Sequence, residues 1–304
     1  MYVQPVTSVN TGRPPPFGGR HGDNRPVSVE HYENFPVASW LCPPDLRPPI
    51  TAIYHFARTA DDLADEGDRT ADQRRADLQA FRSAWHATVA GGAGDPRWQA
   101  LMQALLRQHV RHRFPLPLLD DLLDAFEQDC GNPLYDTRAD LLDYCRRSAH
   151  PIGRLLLHLC GIDAPQALSQ SDAVCSALQL INFWQDFSVD HPRGRCYLPA
   201  EDCRRHGVDR AALLGGQPAG APEAALLRDL LDWTEGLMRQ GAPLAFRVPG
   251  RMGWELRAVV QGGLLVLAKI RAMTPDSFHR RPRLHASDAP RLAWSICRMP
   301  GVTR

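Results

Sequence analysis

From residue 46 to residue 273 apolar residues recur every three to four positions, the period of an amphipathic helix. "LRPPITAIYHFARTADDLADE" carries Ile50, Ile53, Tyr54, Ala57 and Leu63 at this spacing, and Pro48 and Pro49 suit a first turn. "TADQRRADLQAFRSAWHATVAG" opens on a Thr70 cap and stops at Gly91 and Gly92. "DPRWQALMQALLRQHVRHR" has Asp95 as cap and Pro96 at the first position, and "PLPLLDDLLDAFEQDCG" ends on Gly131. "TRADLLDYCRRSAHPIGRLLLHLCG" runs from a Thr137 cap to Gly161, with a kink expected at Pro151. "SQSDAVCSALQLINFWQDFSVD" takes Ser169 or Ser171 as its cap. "RGRCYLPAEDCRRHGV" reads as a loop and a short helix. Two long helices follow, over 221–246 and 251–273, and "SDAPRLAWSICR" forms a short terminal one.

No strand alternation and no fixed repeat interrupts this pattern, so the fold class is all-α. No linker breaks residues 45–274, which predicts one large helical domain over 28–275. Residues 1–27, rich in Pro and Gly without periodicity, read as a disordered lead-in, and 276–304 as a basic tail with a short helix.

Composition narrows the function. The formal net charge of +1 gives no global attraction to nucleic acid, so any charge argument is local. Eight cysteines include no C-x-x-C pair, which leaves a zinc site little support. The first 27 residues hold no apolar signal core, and a reducing cytosol is expected. No window approaches 18 consecutive apolar residues, so no spanning helix is expected.

Two acidic clusters stand out. "RTADDLADEGD" gathers Asp61, Asp62, Asp65, Glu66 and Asp68 at a helix C-terminus. Like charges at i,i+4 cost about 0.2–0.5 kcal/mol per pair, and acidic groups there face the negative end of the dipole. Taken alone, the cluster reads as a solvated acidic turn. "NFWQDFSVD" changes that reading. Asn182, Asp186 and Asp190 fall on one helical stripe among Leu178, Ile181, Phe183, Trp184 and Phe187. Two oxygen-rich stripes embedded in apolar sequence suit Mg²⁺, which takes one or two carboxylates and borrows phosphate oxygens. A carboxylate pair working on a sugar needs two carboxyls, not six.

The chain resembles the squalene/phytoene synthase family over roughly residues 30–275, through "YHFARTADDLADE", "YCRRSAHPIG" and "NFWQDFSVDHPRGRCYLP" in that order. Within it, "HYENFPVASWLCPPDLRPPITAIYHFARTADDLADEGD" looks most like the bacterial hydroxysqualene-forming branch. The resemblance implies a class I isoprenoid synthase bundle with a central cavity, and Mg²⁺ held by Asp61, Asp62 and Asp65 facing Asn182, Asp186 and Asp190, with Glu66 a further candidate. It implies a prenyl diphosphate substrate, presqualene diphosphate in this branch, with Arg58, Lys269 and Arg271 on the phosphate. Tyr144 would assist cation chemistry, and Phe35 and Tyr54 would line the cavity. A presqualene diphosphate synthase would supply the substrate and a hydroxysqualene reductase would consume the product.

The chain also departs from relatives that start from two prenyl diphosphates. It reads "HYENFP" where they carry Ser/Lys-type residues, "SAHPIG" where they tend to Val-Ala-Gly, and Gln185 where Arg is common. Gly262 and Gly263 stand where Arg and Tyr are frequent. These changes remove phosphate-handling groups and fit one bound diphosphate. His150 stands where the nearest relatives would have Asn; it either orients water or fills space. No G-x-G-x-x-G motif supports a nicotinamide site. The alternatives are a synthase condensing two farnesyl diphosphates, and a non-catalytic helical assembly factor. Trp294 and Leu292 in the basic tail suit either docking on an anionic membrane or a helix packed on the bundle.

Overall fold

The computed structural model describes residues 41–300, all helix, turn and loop with no strand among them. Phe35 and the expected disordered lead-in 1–27 lie outside the described residues. Twelve α-helices occur in this span: α1 (Arg47–Asp65), α2 (Ala71–Val89), α3 (Gln99–His112), α4 (Leu116–Asp129), α5 (Arg138–Ser148), α6 (His150–Leu159), α7 (Pro165–Asp190), α8 (Ala200–Arg205), α9 (Arg210–Leu214), α10 (Ala221–Gly241), α11 (Gly250–Met273) and α12 (Ala289–Arg298).

Local chemistry explains most boundaries. Pro48 and Pro49 open α1, and the helix closes at Glu66 before Gly67, whose φ of 85° needs glycine. Thr70 and Gln73 form a capping box on α2, and Thr137 and Asp140 form one on α5. Asp95 caps a 3₁₀ turn, Pro96–Trp98, that leads into α3.

Three boundaries differ from the periodic reading. The helix expected over 137–161 is two helices broken at Ala149, because Pro151 has no N–H to continue the ladder. α7 begins at Pro165, not at Ser169 or Ser171, and Ser171 is buried inside it. α10 ends at Gly241 and tightens into a 3₁₀ segment, Ala242–Phe246, which contains Pro243.

The 26-residue α7 is the axis of the molecule, packed on α5, α6, α10 and α11. Gly241 lets α10 approach it closely: a Cβ there would stand 2.5 Å from the Gln170 carbonyl oxygen. One apolar core joins α5, α7, α10 and α11, and a second joins α1–α4 with Leu155 of α6. A smaller group, Leu157, Ala167, Leu244, Val248 and Met252, packs separately beside them. α12 lies against α11, leaving Trp294 60% exposed. No helix among the described residues is long and apolar enough to cross a membrane.

Candidate active site

A cavity of about 500 Å³ is walled by α1, α4, α5, α6, α7 and α11, a size usual for a small-molecule site. Its walls are largely apolar, with Leu122, Phe126, Ile152, Val174, Leu178 and Val259 among them. Tyr54, Arg58 and Asp61 reach it from α1, Tyr144 from α5 and Asn182 from α7. Asp62 and Asp65, like Asp186 and Asp190, continue the same two helices beyond this lining.

The two acidic helix ends face each other. The Asp65 carboxylate on α1 acts on Asp190 on α7, and Arg195 acts on both Asp61 and Asp190. Burial, then the Asp65 carboxylate, pushes Asp61 up to about 7 against the pull of Arg58. Burial, then the Asp186 carboxylate, pushes Asp190 up to about 7.

Three arginines share the remaining charge. Arg58 lies 3.0 Å from Asp61, 2.6 Å from Asp62 and 3.2 Å from Glu66. Arg195 pairs with Asp65. Arg281 donates to Asp186 at 3.0 Å, its own side chain only 8% exposed. Among the described residues no group of three carboxylates, imidazoles or thiolates is drawn together around a metal position.

Sequence reasoning missed Arg195, Arg281 and Asp129. Asp129 ends α4, lines the cavity and accepts a 2.8 Å hydrogen bond from the Tyr144 hydroxyl. Burial pushes its carboxyl up to about 8, and its Oδ1 has no hydrogen-bond partner among the described residues. Tyr144 belongs to an aromatic group in which Phe183 stacks on Tyr197 with ring centres 3.6 Å apart. The loop carrying Arg195 and Tyr197 is fixed against the segment after Asp129. Ala200 N–H donates to the Tyr135 carbonyl at 3.0 Å, and Asn132 donates to the Arg193 carbonyl at 3.1 Å.

Neither Lys269 nor Arg271 pairs with this cluster. The cavity face of α11 spans the arc from Ala258 and Gly262 to Leu256; at 100° per residue Arg271 lies off it, while Lys269 falls at its edge beside Gly262. Arg271 instead pairs with Asp232 and Glu235, at 2.7 and 3.2 Å, in a separate groove. Lys269 holds Asp288 at 2.7 Å and the Arg283 carbonyl at 3.1 Å. Buried Gln185 donates to the Pro282 carbonyl at 2.7 Å. Gln185, Lys269 and Arg281 together fasten residues 281–284 as a strap, and Leu284 on it lines the cavity. His150 is outside the lining, its Nε2 2.8 Å from Ser176 Oγ and its Nδ1 3.6 Å from Asp172.

A family model described as squalene/phytoene synthase matches residues 29–288. The chain belongs to the squalene/phytoene synthase family. It is 34% identical to the hydroxysqualene synthase of Zymomonas mobilis, over 75% of each chain. It is 32% identical to the presqualene diphosphate synthase of the same organism, over 64% of this chain and 66% of that one. A squalene synthase, HpnC, from Alicyclobacillus acidocaldarius superposes with a TM-score of 0.72 at 32% identity, covering 82% of this chain and 91% of the other. The fold is therefore that of the squalene-synthase-like isoprenoid synthases, and a prenyl diphosphate is the substrate class consistent with this family.

Proposed function

We propose that this protein converts presqualene diphosphate and water to hydroxysqualene and diphosphate, using Mg²⁺, on the route to squalene and hopanoids. One observation carries the reading: among the described residues lining the cavity, Arg58 is the single basic side chain. An apolar chamber whose lining carries one cation fits one diphosphate better than two. Gln185 and Gly262 support this, since a Cβ on Gly262 would meet nothing within 4 Å and packing does not impose a glycine there, whereas one on Gly263 would stand 2.7 Å from Met238. The similarity to hydroxysqualene synthases points the same way.

The donors fit Mg²⁺. Asp61, Asp62, Asp65, Asn182, Asp186 and Asp190 offer hard oxygen ligands from two facing helices. Burial first, and then the Asp65 and Asp186 carboxylates, raise Asp61 and Asp190, so a divalent cation between them would favour their ionised forms. When bound, Mg²⁺ supplies Lewis acidity that stabilises the diphosphate as a leaving group.

The chain's own residues do the rest. Arg58 exchanges its carboxylates for a diphosphate oxygen, a charge-assisted hydrogen bond. The C–O bond to diphosphate breaks with its electron pair on the leaving group, and the cyclopropylcarbinyl cation rearranges between apolar walls that exclude stray water. The Tyr144 ring on the cavity lining offers its face to the cation, oriented by its hydrogen bond to Asp129. Water then forms the new C–O bond.

The 32% identity to a presqualene diphosphate synthase supports a second reading, condensation of two farnesyl diphosphates to presqualene diphosphate, squalene or dehydrosqualene. Each substrate is to be supplied separately with Mg²⁺ and without NADPH. Hydroxysqualene from presqualene diphosphate is expected. Turnover of farnesyl diphosphate alone, with presqualene diphosphate untouched, would sink the first reading.

A further inference from the structure

The capturing water needs an address. An apolar cavity holds a water only where two or more polar groups meet it. Most polar groups on this lining are already engaged. Gln185 is spent on the Pro282 carbonyl, and Tyr144 on Asp129. The Ser171 hydroxyl bonds to Cys175. Arg58, Asp61 and Asn182 belong to the acidic mouth.

Two lining residues keep a buried polar atom with no hydrogen-bond partner among the described residues: Asp129, whose Oδ1 lies within the field of Asp61 and Asp65, and Ser148. Ser148 is the neutral hydroxyl of the two. It ends α5, lines the cavity, and its Oγ is buried with no hydrogen-bond partner among the described residues. A buried hydroxyl in that condition is unfavourable until something bonds to it. Rotation about its single χ1 bond swings the hydroxyl between staggered positions, so a ligand in the cavity can meet it.

Gln179 supplies the second polar group. α5 and α6 run antiparallel to α7: Tyr144 meets Phe183, His150 meets Ser176, and Gly153 meets Ser171 and Cys175. This register sets Ser148 across from Gln179, which lines the same cavity. Gln179 lies seven residues before Asp186 on α7, about 10 Å along the axis. The pair thus sits about one turn inward from Asn182 and about two from Asp186.

We propose that Ser148, with Gln179, holds the water that captures the rearranged cation. This rests on the presqualene diphosphate reading above. The water oxygen donates its lone pair to the cationic carbon, forming the C–O bond of hydroxysqualene. The released proton goes to the diphosphate, the base set free in the same turnover. No oxidant or reductant is needed. The reaction ends as an alcohol because this water is held at one level of the cavity while apolar walls exclude others.

The test is product partition. Purified full-length protein and the variants Ser148→Ala, Ser148→Thr and Gln179→Leu are given presqualene diphosphate and Mg²⁺, and hydroxysqualene is measured per diphosphate released. This ratio reports the fate of the cation and does not change when a variant is merely less folded. Loss of one hydrogen bond to the water lowers it about fivefold in Ser148→Ala, with elimination and cyclopropyl alcohol products making up the difference. Ser148→Thr keeps the hydroxyl and holds the ratio near the parent's. A Ser148→Ala ratio equal to the parent's overturns the water site and leaves the proposed function standing. A parent protein that releases diphosphate but forms no hydroxysqualene overturns both.

Discussion

Asp129 offers a quantitative test of the cavity's electrostatics. Its carboxyl, pushed up to about 8 by burial, has an ordinary value near 3.9 in the unfolded chain. Between those limits the folded protein keeps a proton that the unfolded chain has released. The unfolded state binds fewer protons, so stability falls as pH rises from about 4 to about 8 and levels off above. One proton corresponds to about 1.4 kcal/mol per pH unit, or about 3 kcal/mol between pH 5 and pH 7. Asp129→Asn removes the titration while keeping the side-chain shape and an acceptor for Tyr144. In urea unfolding without divalent ions, the variant's stability relative to the parent is expected to grow by about 3 kcal/mol from pH 5 to pH 7. Asp61 and Asp190, also raised, remain in both proteins and largely cancel in the difference. Parallel pH profiles would refute a neutral, buried Asp129.

Other expectations follow from the same geometry. Asp62→Ala and Asp186→Ala are each expected to lower turnover about 100-fold or more with circular dichroism unchanged, and full activity in both would end the metal-clamp assignment. Added Mg²⁺ should raise the thermal midpoint less at pH 6 than at pH 8, because protonated Asp61 and Asp190 must first ionise; a pH-independent shift would count against these ligands. Gly153→Ala puts a Cβ 2.3 Å from Ser171 Oγ and 2.5 Å from Cys175 Sγ, and should destabilise the α6–α7 wall by about 1–3 kcal/mol in chemical denaturation. Lys269→Ala should speed hydrogen exchange over 281–288; unchanged protection would mean that the strap does not depend on it.

Local information proved legible in the sequence. The Thr70 and Thr137 caps, the turn at Gly67 and the single stripe of Asn182, Asp186 and Asp190 are all set within a few residues. The helix break at Ala149 and the early start of α7 at Pro165 were blurred because periodicity runs smoothly across both. The candidate site was half legible. Spacing assigns Asp61 and Asp186 to helix faces, but it cannot say which cation arrives from elsewhere. Arg195 reaches Asp65 from 130 residues away, and Arg281 reaches Asp186 from 95. Nothing local to Asp129 marks it as buried; the Tyr144 hydroxyl that bonds to it comes from α5. The two cations near the end of α11 part company for the converse reason: the turn of the helix takes Arg271 to Asp232 and Glu235, while Lys269 holds Asp288 and the Arg283 carbonyl.

The strap also has a consequence for how the molecule is made. Chains leave the ribosome from the N-terminus, and domains begin to fold as they emerge. Both acid-bearing helices, α1 and α7, are complete well before residues 281–284 have been synthesised. Until then Asp186 lacks Arg281, and Gln185 lacks the carbonyl that satisfies it. The mouth of the cavity is therefore finished late, and a nascent chain that has already made α1 to α11 still holds an acidic rim in which Asp186 awaits its arginine.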